Sequence, residues 1–251
     1  MRTIFIYLVA LGGLQAGDYR QQLNVLGTKY NIKIMTQKFK PSRYARKWAT
    51  WQWLNGSDEK QLKAFAQVFI EEWSKYRVDW VKMSELRKVF FVKNLAVIRQ
   101  NRAAMPDAVA DALYYDISYI SDPDYCREVI HHEFFHIIDT NLYGWGPAYT
   151  KWRALNVAGF VYGKGGASAY GKPGVHKEHP STGFVNGYST YGPAEDRAEI
   201  YAWLFITKRY RKLKKFINTD TVLAAKVRAM KSFIKQRSPA MGPAYFKKLH
   251  H

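Results

Sequence analysis

The chain of 251 residues is 47% hydrophobic and 24% charged, a composition that excludes a disordered or fibrous protein and is long enough to bury a sizeable core. Its 39 Lys and Arg against 20 Asp and Glu give a formal net charge of +19, which draws it toward polyanions such as acidic glycans, anionic membranes or nucleic acid. The lone cysteine, Cys126, excludes an intramolecular disulfide and any cysteine-rich zinc site.

Met1-Arg2, an apolar run from Thr3 to Leu14 and the small residues Ala16-Gly17 read as a secretory signal over residues 1–16, leaving 17–251 as a single domain. The β-branched and aromatic content of Thr3 to Val9 also fits a buried strand. No other apolar run approaches the ~20 residues of a membrane span. Tyr19 to Gln52 is mixed and basic, with no strong period. Asn55-Gly56-Ser57-Asp58 then marks a turn and a cap, and Leu62, Phe65, Val68, Phe69 and Trp73 recur at helical spacing through to Tyr76. Val89-Phe90-Phe91-Val92 reads as a strand, as does Tyr115 to Ile120, while Ala103 to Leu113 between them has no clear assignment.

Ser121-Asp122-Pro123-Asp124 predicts a helix start, with the helix running to Asn141 or Gly144. Gly163 to Gly183 holds many of the glycines and reads as a loop over or beside a cleft, without the phosphate-binding pattern G-x-x-x-x-G-K-[ST]. Pro193 to Phe205 predicts another helix. Leu223, Val227, Met230 and Ile234 place an apolar stripe on a further, basic one. From Lys208 to His251 there are 13 Lys and Arg beside one acidic residue, Asp220, so this tail carries +12. A solvated basic face accounts for that charge more simply than a dedicated binding patch.

The chemistry-bearing feature is His132-Glu133-Phe134-Phe135-His136 inside the first of these later helices. Residues four apart project from one helix face, so both imidazoles can reach one metal ion while Glu133 stands beside it. Zinc suits this pattern, and the carboxylate can take a proton from a water acidified by the ion. His131 is out of phase by one residue and points away or into packing. Catalytic zinc sites have three protein ligands, and the acidic cluster Glu195-Asp196-Arg197-Ala198-Glu199 is the source of the third. Glu195 and Glu199 are one turn apart, so by spacing either can bind metal while the other bonds a ligand histidine. A salt-bridged surface face is the competing reading of that cluster. His176 and His179 are taken as loop residues.

The run His132 to Asp139, followed by Tyr188 and then Glu195 to Glu199, resembles the lethal-factor and Pro-Pro endopeptidase branch of the zincins. It also resembles a group of secreted bacterial zinc-binding metallopeptidases, which Trp152 to Asn156 and Gly159 to Gly163 resemble as well. In that branch a tyrosine seven residues before the glutamate ligand faces the metal, and a second glutamate follows four residues after it; Tyr188, Glu195 and Glu199 fit both spacings. The resemblance spans Tyr115 to Leu204. It implies His132, His136 and Glu195 as ligands of one Zn2+ per chain, Glu133 as the base, Tyr188 as oxyanion donor and Glu199 as a support behind a ligand. Asp139 matches the family pattern too, as such a support or as a helix-surface residue.

The fold implied is α+β and zincin-like: a small mixed sheet, a helix carrying the histidine pair, and a mainly helical C-terminal part whose basic end covers about 205–251. The function implied is that of a secreted, extracellular or periplasmic, endopeptidase acting as a monomer on peptide or protein substrates, with no specific nucleic-acid partner. The competing reading is a secreted basic binding protein with a structural or residual zinc site, attached to anionic surfaces.

Overall fold

The apolar run Val89-Phe90-Phe91-Val92 lacks alternation because the strand that holds it is covered on both faces. A computed structural model describes residues 18–143 and 147–251; the expected signal segment 1–16 lies outside them. Along the chain come α1 (Tyr19–Tyr30), β1 (Lys33–Met35), α2 (Arg43–Trp48), β2 (Ala49–Gln52), α3 (Glu59–Ser74), α4 (Val78–Met83), β3 (Lys88–Val97), β4 (Gln100–Asn101), β5 (Ala104–Asp107) and β6 (Ala112–Asp116). Helices follow: α5 (Pro123–Tyr143), α6 (Pro147–Arg153), α7 (Pro193–Phe205), α8 (Thr207–Phe216), α9 (Thr221–Arg237) and α10 (Pro243–Leu249).

The sheet is small and mixed, in the order β1-β3-β6-β5. β1, β3 and β6 run parallel, with Ile34, Val89 and Leu113 in register, and β5 closes the edge antiparallel to β6. β2 and β4 pair antiparallel with the far half of β3. Side chains alternate across this sheet. Val89, Phe91, Leu113 and Tyr115 face α3 and α5 and meet Phe65, Phe69 and Phe134 in the larger core. Phe90, Val92, Ala112 and Tyr114 face the other way, where Ala45, Ala49, Phe39 and Trp51 cover them. The Phe39 ring stacks on Phe90 with centroids 3.7 Å apart. The part of the stretch before Asn55 that follows α1 is therefore a cover of short elements, while α1 itself buries Tyr19, Leu23, Leu26 and Tyr30 in the larger core.

The helix predicted after Asn55 is α3, and Leu62, Phe65, Val68, Phe69 and Trp73 are its buried stripe. Asp122 opens α5 by accepting from the Tyr125 backbone N–H at 3.0 Å. Asp220 opens α9 by accepting from Leu223 N–H at 2.8 Å. One expected strand is displaced: β6 ends at Asp116, and Ile117–Ser121 is a 3₁₀ turn. The Asp116 carboxylate accepts from Ser118 N–H at 2.8 Å and from Leu95 N–H at 2.7 Å, which turns the chain out of the sheet despite the β-prone residues that follow. Among the described residues no helix is long and apolar enough to cross a membrane.

Two packed contacts fix α5, the helix of the histidine pair. His131 is fully buried between the Tyr76 hydroxyl and the Glu72 carboxylate, 2.6 Å from its Nε2, which ties α5 to α3. Phe135 meets Tyr201 of α7 with ring centroids 4.7 Å apart. The architecture is thus α+β, with α5 packed between the sheet side and the C-terminal helices.

Candidate metal centre

His132 and His136 lie one turn apart on α5, so both imidazoles leave the same face. Their Nε2 atoms stand 3.0 Å apart. Glu195, in the first turn of α7, brings Oε2 to 3.1 Å from His132 Nε2 and 3.4 Å from His136 Nε2. Donor atoms of these three residues all fall within 4.8 Å of one another. Two imidazoles and one carboxylate form the donor set that leaves a zinc ion a fourth position open.

The rotation of α7 is set by the two residues after Glu195. Arg197 gives Nη2 and Nε to the Asp139 carboxylate of α5 at 2.8 and 3.2 Å. Asp196 is fully buried, and its Oδ2 accepts from Trp152 Nε1, Tyr162 Oη and Lys226 Nζ, each at 2.7 Å. With those two side chains fastened, Glu195 and Glu199 are left facing His132. The acidic cluster is not a salt-bridged surface face: Asp196, Arg197 and Glu199 are buried.

Glu199 places Oε1 2.8 Å from His132 Nδ1, off the line of a well-aligned hydrogen bond, and its Oε2 accepts from Asn186 Nδ2 at 2.6 Å. Asn186 is fixed in turn by the Ser189 backbone N–H, which donates to its Oδ1 at 3.0 Å. The Tyr188 ring centroid stands 5.7 Å from that of His132. Gly166, in the glycine-rich loop, passes so close that a Cβ there would strike both the Tyr188 hydroxyl and the Glu195 carboxylate. Tyr170 from the same loop meets Tyr188 edge-on at 6.4 Å, and the Arg102 guanidinium lies 3.5 Å over the Tyr170 ring.

Burial opposes a charge on His132, yet Glu195 and Glu199 at its two nitrogens hold its pKa well above the ordinary imidazole value. Burial would raise Glu195, but His136 and His132 hold it far below the carboxylate range. The two carboxylates therefore stabilise positive charge among the imidazoles, as a cation site requires. Burial raises Glu133, against the opposing pull of His132 and His136. Burial, with the charge of Glu195 next, lifts Tyr188 far above the ordinary phenol value, so it keeps its proton and can donate.

Of the residues singled out in the sequence, His132, His136, Glu195, Glu199 and Tyr188 are brought together. Asp139 is a correction to the expected support behind a ligand: its oxygens are engaged by Arg197, so it fastens helix to helix and bonds neither histidine. His179 bonds Asp220 at 2.9 Å and stacks on Phe216, beside the start of α9. Asn186 and Arg102 went unread in the sequence, and Gly166 and Tyr170 were read only as part of a loop over or beside a cleft. Each belongs to a loop or turn near the site only through the tertiary fold, so no local spacing marks it.

No protein-family model matches the chain, and no curated protein matches it. Among solved structures, it is similar to the crystal structure of a protein from Bacteroides caccae described as a "putative zinc-binding metallo-peptidase". The two share 14% identity, with a TM-score of 0.53 over 94% of this chain and 93% of that one. The likeness is one of fold, extending over nearly the whole of both chains.

Proposed function

We propose that this chain is a secreted zinc-dependent endopeptidase, with one zinc ion held by His132, His136 and Glu195. The observation that carries the reading is the meeting of three donor groups from two helices, backed by Glu199 behind His132. The fold shared with the Bacteroides caccae protein supports it, as does the sequence resemblance to the lethal-factor and Pro-Pro endopeptidase branch. When bound, the zinc supplies Lewis acidity, acidifying water and polarising a peptide carbonyl.

The rest of the chemistry belongs to the chain. Glu133 accepts the proton of the attacking water as the carbon–oxygen bond forms, then passes it to the amine nitrogen as the carbon–nitrogen bond breaks. Tyr188 donates its hydroxyl hydrogen to the oxyanion that develops on the former carbonyl. Glu199 orients the His132 ring from behind, and Asn186 holds Glu199. The test is Glu133→Gln, which should lower turnover of a peptide library by about 10²-fold or more while zinc stays bound. Full turnover in that variant would rule the mechanism out.

A further inference from the structure

The basic C-terminal part, which the metal centre leaves unused, folds around a cleft of about 480 Å³ lined by α8, α9 and α10. Four of its lining residues are lysines, Lys214, Lys231, Lys235 and Lys247, and none is Asp or Glu. Some lysines elsewhere in the fold are matched with carboxylates, as Lys212 is with Glu178, Lys208 with Asp124, Lys93 with Asp58 and Lys226 with Asp196. Among the described residues the four cleft lysines make no such ion pair. Like charges gathered without a counter-charge repel one another, and a bound anion removes that penalty.

The floor of the cleft is apolar. Met241 and Phe246 are buried there, and the Tyr210 ring stacks on His250 at 4.0 Å. Lys231 donates to the Tyr210 hydroxyl at 3.2 Å and stands 5.0 Å from its ring centroid, so one of the four charges is held in place over the aromatic wall. Burial, against the hydrogen bond to the Leu204 carbonyl, pushes His250 down to about 4, and the nearby charges of Lys75, Lys231 and Lys214 act in the same direction as burial. A cationic rim over an aromatic floor complements an anion carried on an apolar body, and four cations suit a dianion better than a monoanion.

We propose that this cleft binds an organic phosphate monoester, with the phosphate among the four lysines and the apolar body against the stacked rings of Tyr210 and His250. The site is independent of the peptidase reading. The monoester can be a free small molecule or the head group of a lipid. The experiment titrates the full chain with phenyl phosphate, with inorganic phosphate, and with phosphatidylcholine vesicles with and without phosphatidic acid. The cleft variant is Lys235→Gln with Lys247→Gln, both exposed, so the fold is retained; the control, Lys60→Gln with Lys63→Gln, removes equal charge from exposed positions on α3. Saturable phenyl phosphate binding, stronger than that of inorganic phosphate and weakened about tenfold or more in the cleft variant alone, supports a free ligand. Binding only to phosphatidic acid vesicles, with the same dependence on the cleft variant, supports a lipid head group. No saturable binding to either, equal weakening by both variants, or inorganic phosphate binding as well as phenyl phosphate would overturn the proposal.

Discussion

Asp139 Oδ1 and Arg197 Nη2 lie 2.8 Å apart in the interface between α5 and α7, both side chains buried. This pair joins the helix of the two histidines to the helix of Glu195. Asp139→Asn takes a charged acceptor from a buried guanidinium, at an expected cost of about 3–5 kcal/mol in urea unfolding. Zinc affinity, read against a chromophoric chelator, should fall about 10–100-fold as Glu195 loses its position. The exposed pair Lys208–Asp124 is the comparison, and Asp124→Asn should cost less than about 1 kcal/mol.

Gly166→Ala tests how tightly the glycine-rich loop lies on the site. A methyl there meets the Tyr188 hydroxyl and the Glu195 carboxylate, so zinc affinity should fall and stability should drop by about 1–3 kcal/mol. Gly56→Ala meets nothing within 4 Å and should leave zinc binding unchanged. Equal behaviour of the two variants in a zinc titration would place the loop away from the site.

Tyr188→Phe removes one hydroxyl near His132 and leaves the ring. Steady-state kinetics on a cleaved peptide should show kcat reduced about 10²–10³-fold with KM little changed, because a donor to the oxyanion acts in the transition state. An unchanged kcat would reduce Tyr188 to packing.

Glu72 carries the pH dependence outside the site. Burial would raise its carboxyl, but the hydrogen bond from His131, with His131 and Lys75 charges near, brings it down to about 2. A folded pKa below the ordinary 4.5 gives stability that is full above that value and lost as pH falls toward 2. Wild type should exceed Glu72→Gln by about 3 kcal/mol at neutral pH. Urea unfolding at successive pH values should show that gap closing below 4.5 and gone near 2. A gap constant with pH would contradict the assignment.

What could be read from the sequence was local. Pro193 with its acidic first turn marks α7, and the i, i+4 spacing of His132 and His136 puts both on one face, because helix geometry depends on near neighbours alone. Of Tyr19 to Gln52, β1, α2 and β2 were opaque because they are short and gain their order from the sheet, whereas α1 carries a helically spaced buried stripe, Tyr19, Leu23, Leu26 and Tyr30, that went unread. The strand expected over Tyr115 to Ile120 failed on a single carboxylate, Asp116, whose backbone bonds outweigh β-propensity. Glu195 and Glu199 were indistinguishable by spacing. Only the fastening of Asp196 and Arg197 to distant partners sets which one lies nearest both imidazoles.

The most direct measurement is the zinc content of the purified chain beside His132→Ala, Glu195→Ala and Glu199→Ala, by mass spectrometry, together with hydrolysis of a mixed peptide library with and without chelator. The expected result is one zinc ion per chain, lost in the first two variants and weakened in the third, with cleavage that the chelator stops. No zinc in the unaltered chain, or zinc retained in full by Glu195→Ala, would contradict the account.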